Sequence, residues 1–403
     1  MDLSLSNYIG DVEKYVDKLY DRLNAIIVAY NTLNENVQNE NNLKFINSNY
    51  ITWSEFRDKV RSYENENSQI SELKLIYVND TDLGTSLSIN MAVKKLVIFA
   101  SLHPLSYCFG GGFQLHNVDP HSPFPAEVEL NLTIYNNSFD FNYMFNSLEK
   151  INSIQLNIIY SNYTRISGFQ SLCAGCRELT DCTITFTNST GVPYDLKIED
   201  NDFSNMFQGC WKLQNLSIDS IMNIPSLFDI LVENLNFSSF FEDCNELKNY
   251  GEFASTGTGV NLNTWRVISE NIVNMKYMFR NCFELSAVDM QQWKITNCLN
   301  FDSLFENCYI LKNIYIHEWH FNENASVTDM FKNVGKNLQS TEYVHIIAYG
   351  ATIKFLINSN SSLKASEEVM RNVVDNTKYN FVGKFKKESA ELTYGYVEII
   401  QIE

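Results

Sequence analysis

The sequence predicts an α/β repeat solenoid with irregular repeats, preceded by an N-terminal coiled-coil helix. Three observations carry this: a recurring block of the form Met-Phe, two polar residues, Cys, two residues, Leu; a short alternating apolar run after several of the blocks; and an unbroken heptad pattern near the start of the chain. The block stands as MFQGCWKL (206–213), FFEDCNEL (240–247), MFRNCFEL (278–285) and LFENCYIL (304–311), with weaker copies MFNSLEKI (144–151), LCAGCREL (172–179) and MFKNVGKN (330–337). Its second position falls at Phe145, Cys173, Phe207, Phe241, Phe279, Phe305 and Phe331, in steps of 28, 34, 34, 38, 26 and 26 residues. A fixed block at such intervals marks stacked units that bury their apolar faces only against one another.

Residues 1–40 form the first segment. Ile9, Val12, Val16, Leu19, Leu23, Ile26, Tyr30, Leu33 and Val37 alternate in steps of three and four, flanked by Asp11, Glu13, Lys14, Asp17, Lys18, Asp21 and Arg22. That is a coiled-coil seam for oligomerisation or attachment. With Ile9 at a, Leu23 also falls at a and Ile26 at d, which moves the preference from two strands toward three or four, while Val16 with Leu19 leans back toward two. An ordinary amphipathic helix docked on its own domain is the alternative.

Residues 41–139 read as a short helix and N-terminal capping strands. NENVQNENN (34–42) is polar and loop-like, and Trp53 to Tyr63 reads as a helix opened by Thr52 or Ser54 before Glu55. LKLIYV (73–78), KKLVIFAS (94–101) and EVELNLTIY (127–135) are strand-like, as atypical end units that shield a solenoid.

Residues 140–340 form the solenoid. The block spacing of Met206, Phe207, Cys210 and Leu213 predicts one or two helical turns with one apolar face. The runs after it, Leu216 with Ile218, Val288 with Met290, and Ile314 with Ile316, predict short strands that stack into a parallel ladder. Trp265, Trp293 and Trp319 stand 14, 12 and 12 residues before the next aromatic of the block, a regularity expected of packing residues at the returning turn. Residues 341–403 close the chain as a C-terminal cap, with a helix near Ser366 to Asn376 and a final strand-like YGYVEIIQIE.

The block and the strand that follows it resemble the BspA-type family of surface leucine-rich-repeat proteins over about residues 140–340. The resemblance implies a leucine-rich-repeat horseshoe and a role in adhesion or recognition. The chain departs from the family pattern in insertions such as Gly251 to Thr264 and in strands poorer in Leu.

A net charge of −18 with acids spread along the chain argues against a nucleic-acid partner, whose phosphates need Lys and Arg. No stretch approaches 18 continuous apolar residues and no basic start precedes an apolar run, so neither membrane insertion nor a cleaved signal is expected. Nine cysteines, an odd number, fit reduced thiols, and Cys176, Cys210, Cys244, Cys282 and Cys308 in the block are expected as buried fillers. A Ser there would bury a hydroxyl without an assured partner.

Candidate chemistry is thin. Cys173 and Cys176 make one CxxC with Cys182 nearby, without the second pair that zinc sites use. His317 and His320 lack the spacing of a metal-binding helix, and the Gly110 to Gly112 run lacks the following Lys of a phosphate loop. No catalytic residue, cofactor or metal is expected. The candidate binding surface is instead a row on two successive units: Asp289, Gln291 and Trp293, then Tyr315, His317 and Trp319.

The leading expectation for function is a non-enzymatic virion component, a bacteriophage tail or fibre protein assembled in the host cytoplasm. It would be a homotrimer bound to other virion or assembly proteins through its N-terminal helix, and would present the repeats to a host surface protein or glycan. The alternative is a cellular leucine-rich-repeat adhesin at the cell surface, or a cytoplasmic scaffold that binds protein partners.

Overall fold

The computed structural model describes residues 43–47, 72–79, 86–89, 95–102, 114–117, 124–134, 138–160, 165–188, 197–198, 202–219, 235–250, 259–262, 272–293, 295–359, 363, 365–388 and 391–402. The heptad positions Ile9 to Val37, the helix expected at Trp53 to Tyr63, and Trp265 lie outside the described residues. The chain divides into two compact units. One is Met1–Phe139 with Ile154–Arg165 and Ile184–Tyr194; the other is Asp140–Ser153, Ile166–Thr183 and Asp195–Glu403.

In the first unit, strands Leu43–Asn47, Glu72–Asn79, Lys95–Leu102 and Glu127–Ile134 pair in that order, each parallel to the next. The strand-like runs of the sequence are therefore strands. Val128, Leu130, Leu132 and Ile134 alternate inward and are buried, as strand geometry requires of a sheet with one packed face. The opposite face carries a polar ladder. Lys95 pairs with Glu129 at 2.7 Å, Glu129 accepts from Asn131, Asn131 from Asn157 and Asn157 from Thr185.

The second unit is the solenoid. Strands Asn215–Asp219, Asn249–Tyr250, Gly259–Asn261, Ala287–Asp289, Asn313–Tyr315 and Val344–Tyr349 follow one another as parallel neighbours. Lys378–Glu388 then pairs antiparallel with Val344–Tyr349, and Glu391–Gln401 antiparallel with Lys378–Glu388. The two α-helices among the described residues of this unit, Gly350–Ser359 and Glu367–Arg371, lie between these strands in sequence. Gly350 admits no side chain, since a Cβ there would collide with the Val374 carbonyl oxygen.

The recurring block is not helical, contrary to the reading of its apolar spacing. It is a run of tandem turns. The residue before the block and the fourth residue within it adopt the left-handed region: Asn205 and Gly209, Ser239 and Asp243, Tyr277 and Asn281, Ser303 and Asn307, Asp329 and Asn333. Between them the N–H groups alternate in destination. Gln208 and Cys210 donate within the coil, to Asn205 and Phe207, whereas Asn205, Phe207 and Gly209 donate sideways to the Ser238, Phe240 and Glu242 carbonyls of the next coil. A helix would have satisfied these groups internally. The left-handed residues turn alternate peptides outward, so the backbone is satisfied only by stacking, and each coil depends on its neighbour.

Side chains then stack in columns. The rings of Phe141, Phe169, Phe203 and Phe237 follow at 5.2, 5.6 and 5.4 Å, and those of Phe207, Phe241, Phe279, Phe305 and Phe331 at 5.8, 5.5, 5.7 and 5.9 Å. Each such pair adds about 0.5–1.5 kcal/mol beyond its area burial. The cysteine of the block donates its thiol to the carbonyl of the block's second position one coil earlier: Cys176 to Phe145, Cys210 to Cys173, Cys244 to Phe207, Cys282 to Phe241 and Cys308 to Phe279, at 3.0–3.1 Å. These thiols are free and buried, and burial pushes their pKa values up. Beside them runs an amide ladder, in which Asn281, Asn307 and Asn333 donate in turn to Asp243, Asn281 and Asn307 at 2.6–2.7 Å.

Candidate functional site

The outward face of the last parallel strands brings most of the sequence-derived row together. Register places Asp289 beside Tyr315, Tyr315 beside Ile347 and Ile347 beside Asn380. Their inward neighbours Val288, Ile314, Ile346 and Phe381 are buried, so strand alternation turns the row to the opposite face. Gln291 and His317 continue it two residues further along, half-buried like Asp289 and Tyr315.

The row is held by contacts within and between coils. The Asp289 carboxylate accepts the Gln291 N–H at 3.1 Å, which fixes the turn leaving the strand. The rings of Tyr315 and His317 meet edge to face at 6.4 Å. Tyr349 stands beside Lys378 in the antiparallel register, the Lys378 ammonium lies 5.9 Å from the centre of the Tyr349 ring, and His320 lies 6.3 Å from that ring. Asn380 reaches His345 within 3.1 Å.

The Nε2 of His317 is buried with no hydrogen-bond partner among the described residues. Burial lowers its pKa from the ordinary 6.5, the Lys378 charge lowers it further, and Asp289 and Glu318 oppose both.

Two members of the row are not on the surface. Trp293 and Trp319 are fully buried. After each strand the chain makes a turn, with the Trp293 N–H donating to the Met290 carbonyl and the Trp319 N–H to that of Ile316, and the turn interrupts the alternation that the sequence row had extended through both indoles. Their regular spacing instead reflects packing: Trp293 lies 5.5 Å from Phe237 and Trp319 5.5 Å from Phe301. The Trp293 Nε1 donates to the Leu262 carbonyl at 3.0 Å, whereas the Trp319 Nε1 has no partner among the described residues.

Sequence reasoning missed Tyr349 and Lys378, which lie in the segment read only as a cap, and weighed His320 only as a metal ligand. It also missed a charged column on the turn face. There Glu242, almost fully buried, pairs with Arg280 and accepts from Gln208 at 2.9 Å, Arg280 lies 3.9 Å from the centre of the Tyr277 ring, and Lys332 pairs with Glu306 at 2.9 Å. The signal was present, since these residues share the third position of the block, between the aromatic and the left-handed residue. Among the described residues no group of three or more His, Cys, Asp and Glu could hold a metal ion, and no helix is long and apolar enough to cross a membrane.

Residues 201–343 match a family described as Mycoplasma protein of unknown function, DUF285, which is related to BspA-like repeat proteins. No curated protein and no solved structure matches the chain.

Proposed function

We propose that this chain is a non-catalytic recognition protein, in which the stacked coils are a rigid scaffold and the outward row Asp289, Gln291, Tyr315 and His317, extended by Tyr349 and Lys378, meets a macromolecular partner. The observation that carries the reading is the division of labour on the strands. Inward positions make the shared core, and the outward positions on these strands are a mixture of aromatic, amide and charged groups that the core does not require. Rigid elements that present variable polar and aromatic side chains are suited to binding. The similarity of residues 201–343 to a family described from Mycoplasma favours a cellular setting, as a surface adhesin or a scaffold.

A virion setting, with the chain as a phage tail or fibre component, is a second reading. It rests on the heptad positions Ile9 to Val37, which suit a trimeric attachment helix. A leucine-rich-repeat horseshoe belongs to this proposal as well, on the strength of the block and strand sequence.

The test is adsorption of the purified full chain to host cells. Tyr315→Ala with His317→Ala is expected to weaken saturable adsorption while the thermal midpoint stays near that of the native chain. Unchanged adsorption by that variant, with loss when only Leu19→Asp and Ile26→Asp are made, would assign binding to the N-terminal segment and reduce the repeats to a spacer.

A further inference from the structure

The chain carries far more acids than bases, and the described cations are mostly taken up by carboxylates. Lys95, Lys212, Lys312 and Lys354, for example, are held by Glu129, Glu178, Glu342 and Asp375. Lys276, Lys336 and Lys378 form no ion pair among the described residues and lie by tyrosine rings, and of these Lys378 is on the face that also carries Tyr315 and His317. In the antiparallel register Lys378 stands beside Tyr349, which lies two residues beyond Ile347, the partner of Tyr315, and His317 stands in the turn that leaves the Tyr315 strand. In line with Ile347 stand Asp289, Tyr315 and Asn380.

From this juxtaposition we propose that the row binds a short saccharide bearing a single carboxylate, with the carboxylate at Lys378 and the sugar rings over Tyr315 and Tyr349. The proposal rests on the recognition reading above and narrows it to a ligand class. Three features select that class. The electron-rich faces of Tyr315 and Tyr349 suit the weakly positive C–H faces of sugar rings. Gln291, Asp289 and Asn380 offer planar amide and carboxylate groups of the kind that pair with neighbouring hydroxyls. Finally, a single lysine at this place in a chain of net charge −18 suits one anionic group, whereas a polyanion would be repelled by the rest of the surface. At a strand spacing of roughly 4.8 Å the four segments span about 14 Å, enough for two or three rings.

The experiment titrates the full chain with cellobiouronic acid and with cellobiose, its neutral parent lacking only the carboxylate, followed by ligand-observed NMR. The native chain is expected to bind the acid about tenfold more tightly, the effect of one well-placed charge pair. Lys378→Gln should bring the two affinities together, and Tyr349→Ala should weaken both sugars alike, with thermal midpoints retained. Absence of saturable binding of the acid by the folded native chain, or a preference that survives Lys378→Gln, overturns the proposal. So does Lys378-dependent binding of an acidic peptide with no binding of either sugar. If cell adsorption depends on Tyr315 and His317 while neither sugar binds, the saccharide assignment falls and the recognition reading stands; if adsorption is indifferent to both residues, the two fall together.

Discussion

The thiol of Cys244 lies 3.1 Å from the carbonyl oxygen of Phe207 in the preceding coil, an oxygen that already accepts the Cys210 N–H. The same relation recurs along the block, so the cysteine does more than fill space. It supplies the second hydrogen bond to a buried carbonyl and thereby ties one coil to the next.

This changes what a substitution there should do. A Ser at the position would find a carbonyl waiting, where the sequence offered no assured partner. Cys244→Ser is expected to cost about 1 kcal/mol, and Cys244→Ala more, about 1–2 kcal/mol, because it loses the donor and leaves a small void. Urea unfolding of the two variants checks the order, and a Ser variant less stable than the Ala variant would count against the donor role. The block thiols Cys176, Cys210, Cys244, Cys282 and Cys308 should also resist alkylation until the chain unfolds, since they are buried and burial raises their pKa values, as it raises that of Cys298 to about 12.

Trp293 and Trp319 occupy equivalent places but are satisfied differently. Trp293→Phe breaks the bond from Nε1 to the Leu262 carbonyl and should destabilise by about 1–3 kcal/mol. Trp319→Phe removes an indole N–H that has no partner among the described residues, so its loss of ring volume is offset and the change should be smaller. Thermal unfolding of the two variants decides. Equal losses would mean that ring size alone sets the cost.

Asn307 combines a left-handed backbone with two rungs of the amide ladder, donating to Asn281 and accepting from Asn333. Glycine keeps the first property and loses the second, whereas alanine loses both. Asn307→Gly is expected to cost about 1–2 kcal/mol for the ladder, and Asn307→Ala a further 1 kcal/mol or so for the backbone. Denaturant midpoints give the difference between the two directly. If alanine is no worse than glycine, the left-handed conformation is not a constraint at this position.

The parts of the fold that were legible in the sequence are those fixed by one strand or one block. Alternation at Val288 and Met290 and at Ile314 and Ile316 identified buried strand positions, and recurrence of the cysteine identified buried thiols. The block misled because apolar residues at i, i+1, i+4 and i+7 suit a helical face and a series of turns equally well. What separates the two is the residue before each cysteine, Gly209, Asp243, Asn281 and Asn307, a set that tolerates positive φ. The outward row was legible at Asp289, Gln291, Tyr315 and His317. It was not at Tyr349 and Lys378, whose place beside each other depends on an antiparallel register between segments that share no repeat.

Protonation of His317 provides a pH test of that surface. Burial first, then the nearby Lys378 charge, hold its pKa below the ordinary 6.5, against smaller opposing effects of Asp289 and Glu318. The unfolded chain therefore takes up the proton more readily than the folded one, so the stability tied to neutral His317 is fully present above the ordinary histidine range and is lost as pH falls through it. The denaturation midpoint is expected to drop between about pH 7.5 and about pH 5.5, and His317→Gln should reduce that slope. Lys378→Gln should flatten it less, since it relieves only the second cause and leaves burial in place. If His317→Gln retains the full native slope, the imidazole is not the titrating group, and its buried Nε2 carries no electrostatic weight on this face.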